Sequence, residues 1–297
     1  MKFRTEYIPR KSSFALDPSL PVVLAGSCFS QNIAGKMLAH QWPAFTPLGV
    51  LYNPTSIMYA IHLMLEGERG LAIFESSLSE IGGVWHSCFF DSSFSALDPS
   101  DSIQEFKNRR NIFLDSLAKG NTLIVTFGTS LVYHRVADRT AVGNCHKQPS
   151  ELFYRQRLTP SGIMSDWSVI IEDLRNLFPD LRIIFTVSPV RHLKDGMEVN
   201  SRSKAILLLA VEDIIKFNEN TFYFPAYEIM NDDLRDYRFY ASDMAHPSEE
   251  AVDYIWEKFQ QSYLNPEGID LLREGAKRFK ASMHRPLTGA MGKPLSR

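Results

Sequence analysis

Two short stretches of the chain set reactive side chain types where a fold could use them. In "VVLAGSCFSQNIAGKM" an apolar run, residues 22–25, meets Gly26-Ser27-Cys28-Phe29-Ser30, after which Ile33, Met37 and Leu38 recur at helical spacing. A hydroxyl or thiol on a strand-to-helix turn projects from the backbone, and the helix dipole favours an anion there, which lowers a cysteine pKa. Ser27 and Cys28 are therefore both candidate nucleophiles. A nucleophile needs a base, and the base needs a group to orient it. Among eight histidines, His246 in "SDMAHPSEEA" has Asp243 three residues before it and Pro247 directly after it. The proline ends a loop and starts a helix, so the imidazole stands on a rigid corner. Asp243 is near enough to set its tautomer. The plainer reading of the same pair is a helix cap and an aspartate bonded to a backbone amide.

These groups need a scaffold. Residues 22–25, 121–127, 181–189 and 221–224 are short, apolar and partly β-branched, and read as buried strands. Residues 131–136 extend the second strand or pair with it. Asn53-Pro54-Thr55 is a helix start, with asparagine as N-cap and proline in the first position. Further helices are expected from about 103 to 117, from Thr159-Pro160 to about 178, from 200 to 217, and from Pro247 to about 263. Residues 71–90 suggest a small hairpin around Gly82-Gly83. Strands alternating with helices of ten or more residues predict βαβ units and a parallel sheet. Such sheets bind ligands at the carboxyl ends of their strands. Ser27 and Cys28, Gly128 to Ser130, and Ser188-Pro189 each follow a strand and should share that edge. The expected organisation is one domain over residues 1–265, then a terminal helix to about 282 packed outside the core, and a mobile tail from His284.

Bulk properties exclude several classes. The 297 residues are 44% hydrophobic and 22% charged, near the norm for a soluble globular protein. Lys+Arg of 32 against Asp+Glu of 34 gives a net charge of -2, with no basic surplus for nucleic acid. No apolar run is long enough to span a bilayer. "MKFRTEYIPRKSS" has no apolar segment behind its basic residues, so no secretory signal is visible. Cys28, Cys88 and Cys145 are too few for a disulfide framework, which makes a reducing, cytoplasmic setting the expectation. No Cys-x-x-Cys or His-x-x-x-His spacing occurs, so neither a metal nor another cofactor is expected. Cys88 and Cys145 read as packing residues.

The opening "GSCFS" and the closing Asp-x-x-His-Pro together resemble the SGNH, or GDSL-type, hydrolase superfamily. More closely, the chain resembles the GSCFA family over about residues 22 to 263, with "FGTSLVY", "GNCHK", "SPVRH" and "LRDYRFYASDMAHPS" adding to the likeness. The resemblance implies a flavodoxin-like three-layer αβα sandwich with a mostly parallel sheet, and hydrolysis or transfer of acyl groups. Laid on Gly-Asp-Ser-Leu, the turn puts Cys28 at the nucleophile position and Ser27 where a neighbouring aspartate stands, leaving Ser27 as the reserve nucleophile. The superfamily's oxyanion hole uses the nucleophile's N–H, a glycine and an asparagine. Gly49 in "TPLGVLYNP" is the candidate glycine. Ser130 stands where the asparagine is expected, and Asn144 in "VGNCHK" is the substitute. Losing one such donor costs about two to three orders of magnitude in rate.

His86, His146 and His192 are further candidates for the cleft, and Arg191, Lys147 and Lys204 for an anionic substrate. Tyr237, Phe239 and Tyr240 are expected to pack the last strand and helix. The implied activity is that of an esterase-like hydrolase on a small-molecule or carbohydrate ester, with Cys28 as nucleophile, His246 as base and Asp243 in support. Acyl transfer to a carbohydrate acceptor, and a non-catalytic binding protein on a hydrolase fold, stay open.

Overall fold

A computed structural model of the protein describes residues 4–283; the tail expected from His284 lies outside them. In chain order the elements are β1 (Val22–Gly26), α1 (Cys28–Ala39), β2 (Ala44–Phe45), α2 (Pro54–Leu65), α3 (Gly67–Ser76), β3 (Leu78–Ile81), β4 (Val84–Ser87), α4 (Pro99–Gly120), β5 (Thr122–Phe127), β6 (Leu131–Arg135), β7 (Ala141–Val142) and β8 (Phe153–Arg157). Then come α5 (Pro160–Leu177), β9 (Arg182–Val187), α6 (Met197–Phe217), β10 (Thr221–Tyr223), α7 (Ala226–Glu228), α8 (Glu249–Tyr263) and α9 (Pro266–Met283).

The central sheet has five strands in the order β10-β9-β5-β1-β2, and every pairing is parallel. Side chains alternate between its faces. Val23, Ala25, Leu123, Val125, Ile183 and Phe185 pack into one core with α2, α4, α5 and α6. Val22, Leu24, Ile124 and Ile184 pack into the other with α1 and α8. Burial on both faces explains why these strands read as continuous apolar runs. The architecture is thus a three-layer αβα sandwich, as the motifs implied. No helix among the described residues is long and apolar enough to cross a membrane.

The helix starts follow their caps. Asn53 Oδ1 accepts from the Ser56 N–H at 2.8 Å, Thr159 Oγ1 from Gly162 at 3.2 Å, and Ser248 Oγ from Ala251 at 3.3 Å. Three expectations are corrected. The segment after β5 does not extend it: β6 pairs antiparallel with β7 and β8 in a separate three-stranded sheet. The hairpin around Gly82-Gly83 is narrower than residues 71–90, because residues 71–76 close α3. The terminal helix α9 is not wholly outside the core: it packs on α1, with Leu272 buried in the second core and Gly275 against the His40 carbonyl.

Candidate active site

The carboxyl ends of β1, β5 and β9 meet at one edge of the sheet. Gly26 ends β1 at φ +131°, and a Cβ there would overlap the Thr126 carbonyl of β5. Only glycine fits so close an approach, and it lets the chain turn at once into α1. Cys28 is the first residue of that helix and Ser27 is its N-cap. The two neighbours part company here. Cys28 lines a cavity of about 420 Å³. Ser27 is fully buried, is absent from the cavity wall, and its Oγ has no hydrogen-bond partner.

His246 lines the same cavity. Its Nδ1 lies 2.6 Å from Asp243 Oδ2, and Asp243 Oδ1 accepts the backbone N–H groups of Ala245 and His246, both at 2.9 Å. These two amides, with the imidazole behind them, hold the Asp243 carboxyl far below its ordinary range. The carboxylate therefore shapes the loop and also holds the ring, while the helix cap of the plainer reading is Ser248 and not His246. With Nδ1 engaged by Asp243, Nε2 is the nitrogen left for chemistry. Among the described residues Cys28 and His246 form no direct hydrogen bond; they share the cavity rather than each other.

The thiol's surroundings correct the expected low pKa. Burial pushes the Cys28 thiol up, while the amides of Phe29 and Cys28 and the Lys204 ammonium pull the other way and Asp243 adds to the rise. Desolvation outweighs the helix terminus because Cys28 is half-buried in the cavity wall. Lys204, on α6, is 1% exposed. Its Nζ donates to the carbonyls of Gly128 and Ser188, each at 2.7 Å, and so ties together the ends of β5 and β9. No carboxylate lies near enough to pair with it among the described residues. Burial lowers its pKa to about 7, with Cys28 acting against that fall. Lys204 is thus part of the floor and not a surface charge.

The expected oxyanion hole is rebuilt. Gly49 is off the cavity wall, its N–H spent on the Thr46 carbonyl at 3.1 Å. Ser130 is fully buried, with its N–H on Ser203 Oγ at 2.7 Å and its Oγ unpartnered. The amides of Gly128 and Thr129 both go to the Tyr52 carbonyl, at 2.8 and 2.9 Å. Gly128 itself is required, since a Cβ would press on Tyr52 O, His192 Nε2 and Ser27 Cβ.

Three asparagines take over the polar wall: Asn53, Asn144 and Asn200 all line the cavity. Each has its side-chain oxygen fixed by a backbone N–H, from Ser56 (2.8 Å), His146 (2.8 Å) and His192 (2.9 Å) respectively. A fixed oxygen fixes the amide, and each NH₂ is left as a donor without a protein partner among the described residues. Asn144 was expected at the cleft. Asn53 was legible only as a helix cap and Asn200 not at all. For Asn53 the cap position was a usable signal; Asn200, inside the first turn of α6, carries none.

His192 also lines the cavity, with Nε2 buried and unpartnered. Burial, with Lys204 and His246 nearby, lowers its pKa to about 4, so it is neutral near pH 7. His86 and His146 are not on the wall. Their rings stack at 4.4 Å, held by Ser95 Oγ and the Ser87 carbonyl. No group of three metal-ligating side chains occurs among the described residues.

The model of the GSCFA family matches residues 21–259. No curated protein matches the chain. Solved structures align over most of its length at low identity. A candidate platelet activating factor from Streptococcus pneumonia is 12% identical, with a TM-score of 0.42 and coverage of 83% of this chain and 84% of that one. A Clostridium thermocellum family 3 carbohydrate esterase is 11% identical, with a TM-score of 0.34 and coverage of 86% and 98%. A carbohydrate esterase family 3 protein from Talaromyces cellulolyticus is 9% identical, with a TM-score of 0.35 and coverage of 86% and 99%.

Proposed function

The chain belongs to the GSCFA family, and from the geometry of its cleft we propose a hydrolase of small esters, carbohydrate esters among them, that works through the Cys28 thiol. The observation that carries the reading is that Cys28 and an Asp243-oriented His246 stand on the wall of one cavity at the sheet's ligand edge. The cavity is of a size that takes a small molecule.

His246 Nε2 takes the proton of the Cys28 thiol as its sulfur attacks the ester carbonyl carbon. The thiol pushed up by burial is matched to this order of events: the proton leaves as the carbon–sulfur bond forms, and no standing thiolate is needed. The tetrahedral oxyanion is met by the Cys28 amide at the start of α1 and by the amide of Asn53 or Asn144. The carbon–oxygen bond then breaks, and His246 returns its proton to the departing alcohol. Water attacks the thioester with His246 again as base, releasing the acid and restoring the thiol. A sugar hydroxyl in place of that water would make the reaction an acyl transfer.

The missing thiol–imidazole hydrogen bond favours one other reading, a binding protein on a hydrolase fold. Turnover of 4-nitrophenyl acetate by the wild type and by Cys28→Ala and His246→Ala separates the two. The hydrolase reading expects turnover that falls in both variants. Turnover that is absent, or equal in all three, supports the binding protein.

A further inference from the structure

Arg191 follows β9 and stands between two cavities: it lines the one that holds Cys28 and a neighbouring one of about 260 Å³. Its surroundings differ from those of the other arginine on the first wall. Arg155 is neutralised by Asp195 at 2.5 Å. Arg191 has no carboxylate within 4.0 Å among the described residues. Its backbone N–H donates to the Ala245 carbonyl at 3.0 Å and its Nη1 to the Met244 carbonyl at 3.2 Å, which clips it to the loop carrying His246. The guanidinium carbon lies 5.4 Å from the Tyr240 ring centre and 5.9 Å from that of Tyr237. A guanidinium has five N–H donors, and the protein uses one here.

We propose that Arg191 reads an anionic group on the substrate, a carboxylate or phosphate on a sugar ring that rests against Tyr237 and Tyr240 in the second cavity. This rests on the hydrolase reading for the fate of the bound molecule but not for its binding. An arginine fixed by carbonyls and ring faces, and left without an acid, is arranged for two parallel bonds to an oxyanion. Tyr237 is 61% exposed, an open aromatic face beside that charge. Asn200 lines both cavities and adds an amide donor at their junction. The one carboxylate on the second cavity's wall, Asp236, is turned to Arg238 at 3.7 Å and to its backbone N–H at 3.0 Å. The acid on that wall is thus already engaged by another cation.

The test is calorimetric titration of the protein with glucuronate, glucose 6-phosphate and glucose, repeated with Arg191→Gln, Arg191→Lys and Tyr237→Ala. The wild type is expected to bind at least one anionic sugar ten times or more tightly than glucose, and which one names the group. Arg191→Gln should abolish that preference and Arg191→Lys should keep part of it. Equal affinity for all three sugars, no detectable binding of either anion, or a preference intact in Arg191→Gln would overturn the proposal. If Arg191→Gln does not fold, Tyr237→Ala carries the test: a several-fold fall in the preference supports the site and no change opposes it. Hydrolysis of acetylated methyl glucuronoside and acetylated methyl glucoside is followed in parallel. An anion preference in binding with no turnover of either ester defeats the hydrolase reading and leaves this one standing.

Discussion

The candidate site has a wet rim and a sealed floor, and they are held by different forces. At the rim, Asp243 and His246 keep about half their side-chain surface exposed, at 50% and 47%, and are placed by three hydrogen bonds inside one short loop. At the floor, Ser27, Ser130 and Lys204 are 0–1% exposed and are placed by the packing of strand ends. At the rim local sequence sets Asp243 against His246, within three residues, while Arg191 ties the same loop down from 53 residues away. The floor is where the fold decides geometry: Lys204 reaches Gly128 from 76 residues away. Cys28 and His246 line one cavity between them.

The contrast can be broken from the thiol first. Cys28→Ala should lower kcat/KM for 4-nitrophenyl acetate by at least about 10³-fold, since the proposed reaction passes the acyl group through the Cys28 sulfur. Retained turnover would move the nucleophile elsewhere. At the rim, His246→Ala should cost about 10²–10⁴-fold, the usual range for a general base. Asp243→Asn should cost less, about tenfold, because water reaches this loop and can satisfy the ring in place of the carboxylate. A larger loss for Asp243→Asn than for His246→Ala would show that Asp243 matters through the loop fold and not through the ring.

Lys204 sharpens the floor. Its amine titrates at about 7 in the folded protein against about 10.4 in an unfolded chain. Between those values the unfolded chain holds the extra proton, so the lysine's contribution to stability rises with pH through this window. Below about pH 7 both states are protonated and the full cost of burying the charge is felt. The stability of wild type relative to Lys204→Met, from urea melts, should therefore increase by up to about 1.4 kcal/mol per pH unit between about pH 7 and 10. A difference flat in pH would mean that the amine stays charged throughout. The smallest expected effect concerns thiol access. Iodoacetamide should label Cys28 and Cys145, both on the cavity wall, before Cys88, which is 7% exposed. Burial pushes all three thiols up, so labelling should accelerate only above the free-cysteine range of about 8.5. A Cys28 rate already maximal near pH 7 would show a standing thiolate.

What was legible in the sequence follows the same division. The Gly26 turn, the Asn53 cap, the Thr159-Pro160 helix start and the Asp243–His246 loop are each a run of a few residues whose partners are close in the chain. The parallel sheet was legible because strands buried on both faces are apolar throughout. Lys204 was not. In a helix with charges on either side of an apolar run, one lysine facing inward looks like any solvated lysine, and only the meeting of β5 and β9 supplies its carbonyl partners. The positions of Gly49 and Ser130 were not legible either: neither lines the cavity, with the Gly49 amide on Thr46 and the Ser130 side chain fully buried. The strand after β5 was assigned to the wrong neighbour because its partners, β7 and β8, are short and weakly apolar.

The central claim is that the Cys28 sulfur carries the acyl group, and peptide mass spectrometry after a brief exposure to 4-nitrophenyl acetate at acid quench tests it most directly. The account predicts one acetyl group on the peptide containing Cys28, removed by neutral hydroxylamine as a thioester is, accumulating to a smaller extent in His246→Ala and absent in Cys28→Ala. An acetyl group on Ser27 in the wild type, or stable acetylation that persists unchanged in Cys28→Ala, would contradict it.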